Sequence, residues 1–202
     1  MLNTIAIAAV ILIAALLGFA ATRPGTFRIQ RTKSIEAPPD KLFALVNDFR
    51  RWGSWSPYEK LEPTMKRTYS GAASGKGAVY QWAGKGKAGQ GRMEIVDASL
   101  SRITIKLDFL KPFEAHHFAE FTLEGKGGAT DITWAMYGVQ HYFCKVMSIF
   151  FSMDRMVGKE FETGLGNLKA IAENQAEVWE PGSTIGATVA HADVNCEQRS
   201  EA

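Results

Sequence analysis

The chain has 202 residues, 46% of them hydrophobic and 22% charged, with a net charge of +2. That balance fits one globular domain with extensions and excludes the strongly basic surface of a nucleic-acid binder. Its two cysteines, Cys144 and Cys196, form no CxxC or zinc-ligand spacing, so neither a disulfide framework nor a structural metal is expected.

Ile5 to Ala21 is an unbroken apolar run, interrupted only by Gly18. At about 17 residues it sits at the short end for a membrane span. No basic n-region precedes it, which weighs against a cleaved signal peptide, although Gly18-Phe19-Ala20 offers a small-residue cleavage site. A buried core helix is the poorest fit, because the run has no polar face. The expectation is a single-pass anchor over residues 1–24, and export after cleavage is the alternative. Arg23, Arg28, Arg31 and Lys33 follow the run, which by the positive-inside rule puts the domain behind it in the cytoplasm.

Pro24-Gly25 breaks the chain, and Phe27 to Ala37 then reads as a strand. The strand is irregular, because Arg31 and Lys33 share parity with Ile29 and Ile35. Pro39 suits a first helical turn and Asp40 the positive end of a helix; Leu42, Phe43, Leu45, Val46 and Phe49 make that helix amphipathic. The following segment to Glu59 is dense in aromatics and Pro57 limits any helix there. From Met65 to Gly138 the period becomes two, over six short runs. Glycine-rich breaks at 71–77, 84–91 and 125–128 separate them, as in an antiparallel meander. Gly71–Gly77 and Gly84–Gly91 look superficially like phosphate loops but lack the GxxxxGK[ST] spacing, so they are hairpin turns.

Cys144 to Asn174 reads as one long helix, with apolar residues at Val146, Phe150, Met153, Val157, Phe161, Leu165, Leu168 and Ile171. It would span roughly 45 Å. Its first half is apolar nearly all round, with Met147, Ile149, Phe151 and Met156 added, and its second half is cleanly amphipathic. Gly158, Gly164 and Gly166 suggest a bend or the close approach of another element. From about residue 176 to 202 no period survives, and a disordered tail is expected. Strand, short helices, six strands and one long helix make an α+β fold. A curved sheet grips the last helix of a domain over residues 25–175.

Several motifs carry a family resemblance. They are Ile35-Glu36-Ala37-Pro38-Pro39 with Leu42-Phe43, Trp52, Trp55-Ser56-Pro57, Gly89-x-Gly91-x-Met93-x-Ile95, Phe109-Leu110-Lys111-Pro112-Phe113, Thr133-Trp134-x-Met136 and Met153-Asp154-x-Met156-Val157-Gly158. Together they resemble the SRPBCC superfamily, also called START-like or helix-grip, and within it the membrane-anchored, polyketide cyclase/dehydrase-type bacterial members. The resemblance covers about Phe27 to Asn174. It implies a cavity between sheet and helix for a lipid, sterol, hormone or polyketide, with cyclisation catalysed there in some members. It implies no cofactor.

Ligand pockets are mostly apolar and aromatic with few polar groups. Parity and composition nominate Trp55, Tyr80, Trp82, Phe109, Trp134, Met136, Met153 and Met156 as cavity lining, with Trp52, Tyr137 and Met93 as further aromatic or adaptable surface. Each also has a plain reading as core. Polar candidates inside a pocket are His117, Asp154 and Tyr137. His116 and His117 point to opposite faces of a strand and cannot chelate one metal together. Asp154, set among methionines, is expected to be paired in a salt bridge to the sheet. The expected function is a membrane-tethered binding protein for a hydrophobic small molecule or lipid. The alternative is a cyclase- or dehydrase-like enzyme working in the same cavity, and a protein-interaction module is a third, weaker fit.

Overall fold

The computed structural model describes residues 2–140, 145–146 and 152–174. A helix, α1 (Leu2–Thr22), leads by a three-residue linker into β1 (Thr26–Ile35). Then come α2 (Pro39–Val46) and the short α3 (Trp52–Trp55), the latter between single 3-10 turns at Phe49–Arg51 and Pro57–Lys60. Six strands follow: β2 (Lys66–Gly71), β3 (Ala78–Ala83), β4 (Gln90–Ser99), β5 (Arg102–Lys111), β6 (Ala115–Lys126) and β7 (Ala129–Val139). The closing helix is α4 (Met153–Asn174).

All seven strands form one antiparallel sheet in the order β1-β7-β6-β5-β4-β3-β2. Hairpins join β2 to β7 in sequence, and β1 crosses to the far edge to pair with β7, Ile29 opposite Met136 and Arg31 opposite Trp134. The alternation read in the sequence is the alternation observed: Ile103, Ile105 and Leu107 are buried on one face while Thr104 and Lys106 face outward. Ile95, Phe121, Leu123, Ile132 and Trp134 share the buried face. Pro39 opens α2 with Asp40 in its first turn, where a preset φ and a carboxylate suit a helix N-terminus.

Arg31 accounts for the irregularity of β1. Its position faces α4, where it donates to Asp154 (3.1 Å) and Glu162 (2.7 Å). The expected salt bridge from Asp154 to the sheet is therefore present, and the hydrogen bond from Arg31 holds the Asp154 carboxyl below its usual range. A Cβ at Gly158 would collide with that guanidinium, and one at Gly164 would lie 2.7 Å from Trp134 Cζ3 and 3.1 Å from Pro57 Cδ. These two glycines serve close approach. Gly166 has nothing near it.

The single helix expected from Cys144 is corrected. Ser152 is not helical, and its hydroxyl accepts from the Arg155 backbone N–H (3.3 Å), so α4 begins at Met153. At 22 residues it is roughly 33 Å long. Lys145 and Val146 are helical, while Cys144, Met147, Ile149, Phe150 and Phe151 lie outside the described residues, as does the tail expected from residue 176. Among the described residues no helix is long and apolar enough to cross a membrane, so the expected span over residues 1–24 gains no support there. The basic residues that set its orientation also shrink to Arg23, because Arg28, Arg31 and Lys33 belong to β1.

Candidate functional site

The helix α4 covers the sheet on the β1 side and contacts α2 and α3. Its C-terminal end is tied to α2 by Lys41, which donates to Ala172 O (2.6 Å), and to the residue after β1 by the Glu36 N–H, which donates to Glu173 (2.8 Å). Beneath it lies a dense aromatic cluster. Trp134 stacks on Phe161 of α4 at 4.2 Å and on Phe121 at 5.0 Å, and Trp52 and Trp55 close the cluster edge-on. Trp52 and Trp55 anchor α3 through indole N–H groups that donate to Val46 O (2.8 Å) and Leu45 O (3.2 Å).

Beyond the edge of α4, no helix among the described residues packs extensively on the concave face of β3, β4 and β5. Here the segment from Trp52 to Met65 arches over the sheet and leaves a cavity of about 270 Å³. Tyr80, Trp82, Met93, Phe109, Ala119 and Met136 form its floor, and Tyr58, Val157 and Phe161 its roof. Gly91 is what lets Trp82 lie across the sheet, because a Cβ there would run into the indole and stand 2.6 Å from Asp108 O. Trp82 Nε1 donates to Ala88 O (2.9 Å), which pins the ring to the β3–β4 turn.

The walls carry a few polar groups. Tyr80 donates its hydroxyl to Glu59 Oε1 (2.6 Å), and Arg67 Nε donates to Glu59 Oε2 (2.6 Å) while its Nη2 donates to Glu59 O (2.8 Å). The Glu59 side chain is only 8% exposed, so its charge is compensated by Arg67 where water is scarce. Burial, and next the carboxylate beside it, push the Tyr80 phenol well above its ordinary pKa; burial does the same for Tyr58. Tyr80 therefore stays neutral with its proton committed to Glu59. Two further lining residues hold buried polar atoms with no partner among the described residues, Ser56 Oγ and Trp134 Nε1. A buried polar atom left unpaired costs on the order of 1–3 kcal/mol, and both atoms are fully shielded within residues of the cavity wall.

Of the residues nominated from sequence, Tyr80, Trp82, Phe109, Trp134 and Met136 line this cavity, as do Trp52 and Met93. The other nominations are corrected. Trp55 is 0% exposed and packs wholly within the aromatic cluster. Met153 packs against the core outside the cavity, and Met156 is 67% exposed, because the helix turns that side of its first turn to solvent. Tyr137 lies on the outer face, stacked on Phe118 with Arg28 over its ring. Its odd position beside inward-facing Met136 already dictated this. Asp154 is spent on Arg31.

His117 is buried on the inner face but belongs to a separate packing site. Its ring lies against Phe27 and Phe109 and close over Gly138. His116 points outward, as alternation requires, to Asp108 (2.7 Å). Among the described residues no three His, Cys, Asp or Glu side chains gather into a metal-holding group; His141, His191 and Cys196 lie outside them.

Ser56, Glu59 and Arg67 were missed by sequence reasoning. They come from a loop and an edge strand, where no periodicity marks an inward side chain. The only available signal was the run Trp55-Ser56-Pro57 within the family motif.

A curved antiparallel sheet, a closing helix and an apolar cavity between them define a helix-grip domain with room for a ligand. The family model described as polyketide cyclase / dehydrase and lipid transport matches residues 26–173, and the chain belongs to that family, within the SRPBCC superfamily. No curated protein matches. Solved structures share the fold at low identity. The chain is similar to protein CV1439 from Chromobacterium violaceum, with 15% identity, TM-score 0.52, and coverage of 75% of this chain and 99% of that one. It is also similar to protein Ms6760 from Mycobacterium smegmatis (16%, TM-score 0.52, 73% and 92%). A third is the di-domain ARO/CYC StfQ from the steffimycin biosynthetic pathway (11%, TM-score 0.57), where 76% of this chain matches 52% of that one.

Proposed function

We propose that this protein is a membrane-tethered binding protein for a hydrophobic small molecule or lipid held in the cavity beneath α4. The observation that carries this reading is the cavity itself: about 270 Å³ of aromatic and aliphatic wall, with the unpartnered Ser56 hydroxyl and Trp134 indole N–H beside it. An apolar ligand suits walls of this kind. No charged group is needed, since Glu59 is already matched by Arg67. The tether is α1, which contains no charged residue and exposes large aliphatic or aromatic side chains around its circumference. Exposed aliphatic surface of this kind favours an apolar medium. We assign the domain to the cytoplasmic side on Arg23.

The second reading is a cyclase- or dehydrase-like enzyme, favoured by the Tyr80–Glu59–Arg67 cluster on the cavity wall. Chemistry weighs against it as the first choice. A phenol that already donates to a carboxylate must break that bond to act as an acid, and both Glu59 carboxylate oxygens are already engaged, one by Tyr80 and one by Arg67.

The experiment is uptake of a fluorescent fatty acid by the full chain in detergent, compared with Ala119→Phe. Ala119 is buried on the cavity floor, and the added ring has empty space to enter. Uptake by the parent and a loss of about tenfold or more in the variant, with an unchanged circular dichroism spectrum, supports the binding reading. Equal uptake by both would sink it.

A further inference from the structure

The strand registers bring one end of the sheet together. Thr26 pairs with Val139, Phe109 with Ala115, Gln90 with Lys111, and Lys66 with Ala83. The start of β1, the end of β7, the β5–β6 turn, the β3–β4 turn and the start of β2 therefore share that end. Glu62 ties the chain before β2 to it, accepting from the backbone N–H groups of Lys85 (2.8 Å) and Gly86 (3.0 Å).

Exposed large apolar side chains concentrate here. Leu61, Leu110, Phe113 and Val139 all stand out at this end, Phe113 with 74% of its surface exposed. Outside α1 the others are dispersed: Leu100 at the opposite end, Phe118 on the outer face and Met156 on α4. Lys66, Lys85, Lys87 and Lys111 are exposed between the apolar residues. The acidic groups nearby are Glu62, engaged by the β3–β4 turn, and Glu114, beside His116.

Two further features meet at this end. Leu61 and Lys87 are the exposed residues among those lining the cavity, so the cavity opens here. The linker from α1 enters β1 here as well. Exposed apolar side chains gathered at one end and interspersed with cations mark a contact surface. An anionic lipid surface supplies both an apolar layer and negative charge.

We infer that this end of the domain lies on an anionic lipid surface, with Leu61, Leu110, Phe113 and Val139 inserted, Lys66, Lys85, Lys87 and Lys111 at the headgroups, and the cavity mouth facing the bilayer. A ligand then passes between membrane and cavity without crossing water. The inference rests on the binding reading above for its purpose, but its geometry is tested separately.

The full chain, with Cys144 and Cys196 changed to Ser, is reconstituted into phosphatidylcholine vesicles with or without phosphatidylglycerol. An environment-sensitive dye is placed by Phe113→Cys, or by Leu100→Cys at the opposite end. Nitroxide-labelled lipid should quench the dye at 113 strongly and at 100 hardly at all. Charge reversal at Lys85, Lys87 and Lys111 should lower quenching at 113 by about half or more, in the anionic vesicles only. Circular dichroism verifies each variant, and Val139→Cys replaces Phe113→Cys if the latter does not fold. Absent or equal quenching at the two ends overturns the inference, as does indifference to charge reversal or failure of the chain to sediment with vesicles. A protein that takes up the fatty acid yet shows no quenching at 113 defeats this inference alone. Quenching without uptake supports it and defeats the binding reading.

Discussion

Two glycines of α4, two residues apart and so on roughly opposite sides of the helix, isolate the close packing that makes this fold. Alanine is about 1 kcal/mol better than glycine in a helix interior, so both Gly164→Ala and Gly166→Ala gain that amount before packing is counted. At Gly166 nothing lies within 4 Å of the new Cβ. The gain survives there, and Tm should rise by about 2–4 °C for a domain of this size. At Gly164 the Cβ would stand 2.7 Å from Trp134 Cζ3 and 3.1 Å from Pro57 Cδ, where ordinary contact begins at 3.4 Å. Neither neighbour yields easily: Pro57 is a buried ring, and Trp134 is held between Phe161 and Phe121. Overpacking of this kind costs about 1–3 kcal/mol, and two stiff partners favour the upper part of that range. The net loss is about 1–2 kcal/mol, a fall in Tm of about 2–8 °C. Because Trp134 also lines the cavity, its displacement should weaken fatty-acid uptake, which Gly166→Ala should not touch. Urea unfolding followed by circular dichroism in detergent, with m-values compared, measures the stabilities. Equal shifts of the same sign at the two positions would show that α4 does not approach Trp134 this closely, and the grip described above would be wrong.

Tyr80→Phe removes the hydroxyl that donates to Glu59 and should cost about 1–2 kcal/mol by urea unfolding, while fatty-acid uptake is retained; lost uptake would make Tyr80 a ligand contact. Met156→Ala, at an exposed position, should change stability by no more than about 0.5 kcal/mol and leave uptake unaltered. A third prediction concerns pH. The hydrogen bond to Asp108 holds the His116 imidazole above its ordinary value of 6.5. Burial pushes the Asp108 carboxyl up, but hydrogen bonds from His116 and Lys106 outweigh it and leave the group below 3.8. The stabilisation from the raised histidine is complete below 6.5 and is lost as pH rises through its folded pKa; that from the lowered carboxylate is complete above 3.8 and is lost as pH falls. The Tm gap between parent and His116→Gln should therefore be widest at mildly acidic pH and close on the alkaline side. A gap that widens with rising pH would reverse the assigned directions.

What was legible in the amino-acid order was local and periodic. Alternation at Ile103, Ile105 and Leu107 marked a strand with one buried face, because a strand's period of two permits nothing else. Pro39 and Asp40 marked a helix start through φ and the helix dipole. The same alternation nominated Tyr80, Trp82, Phe109, Trp134 and Met136 as inward, while steps of three and four marked the closing helix. Which inward residues face empty space was not legible, since packed and cavity-lining side chains share one parity. Trp55 and Phe109 look alike as apolar residues of the family motif, yet the α3 turn buries the first in a full aromatic cluster and leaves the second beside the cavity. Met156 fell in the half of the helix read as apolar nearly all round, but the break at Ser152 set where α4 begins, and that side of its first turn was left uncovered. Glu59, Arg67 and Ser56 meet only because a loop folds over an edge strand, a juxtaposition that depends on chain path. Periodicity is a property of neighbours along the chain, whereas a cavity is a property of which distant surfaces fail to meet, and only the tertiary structure decides that.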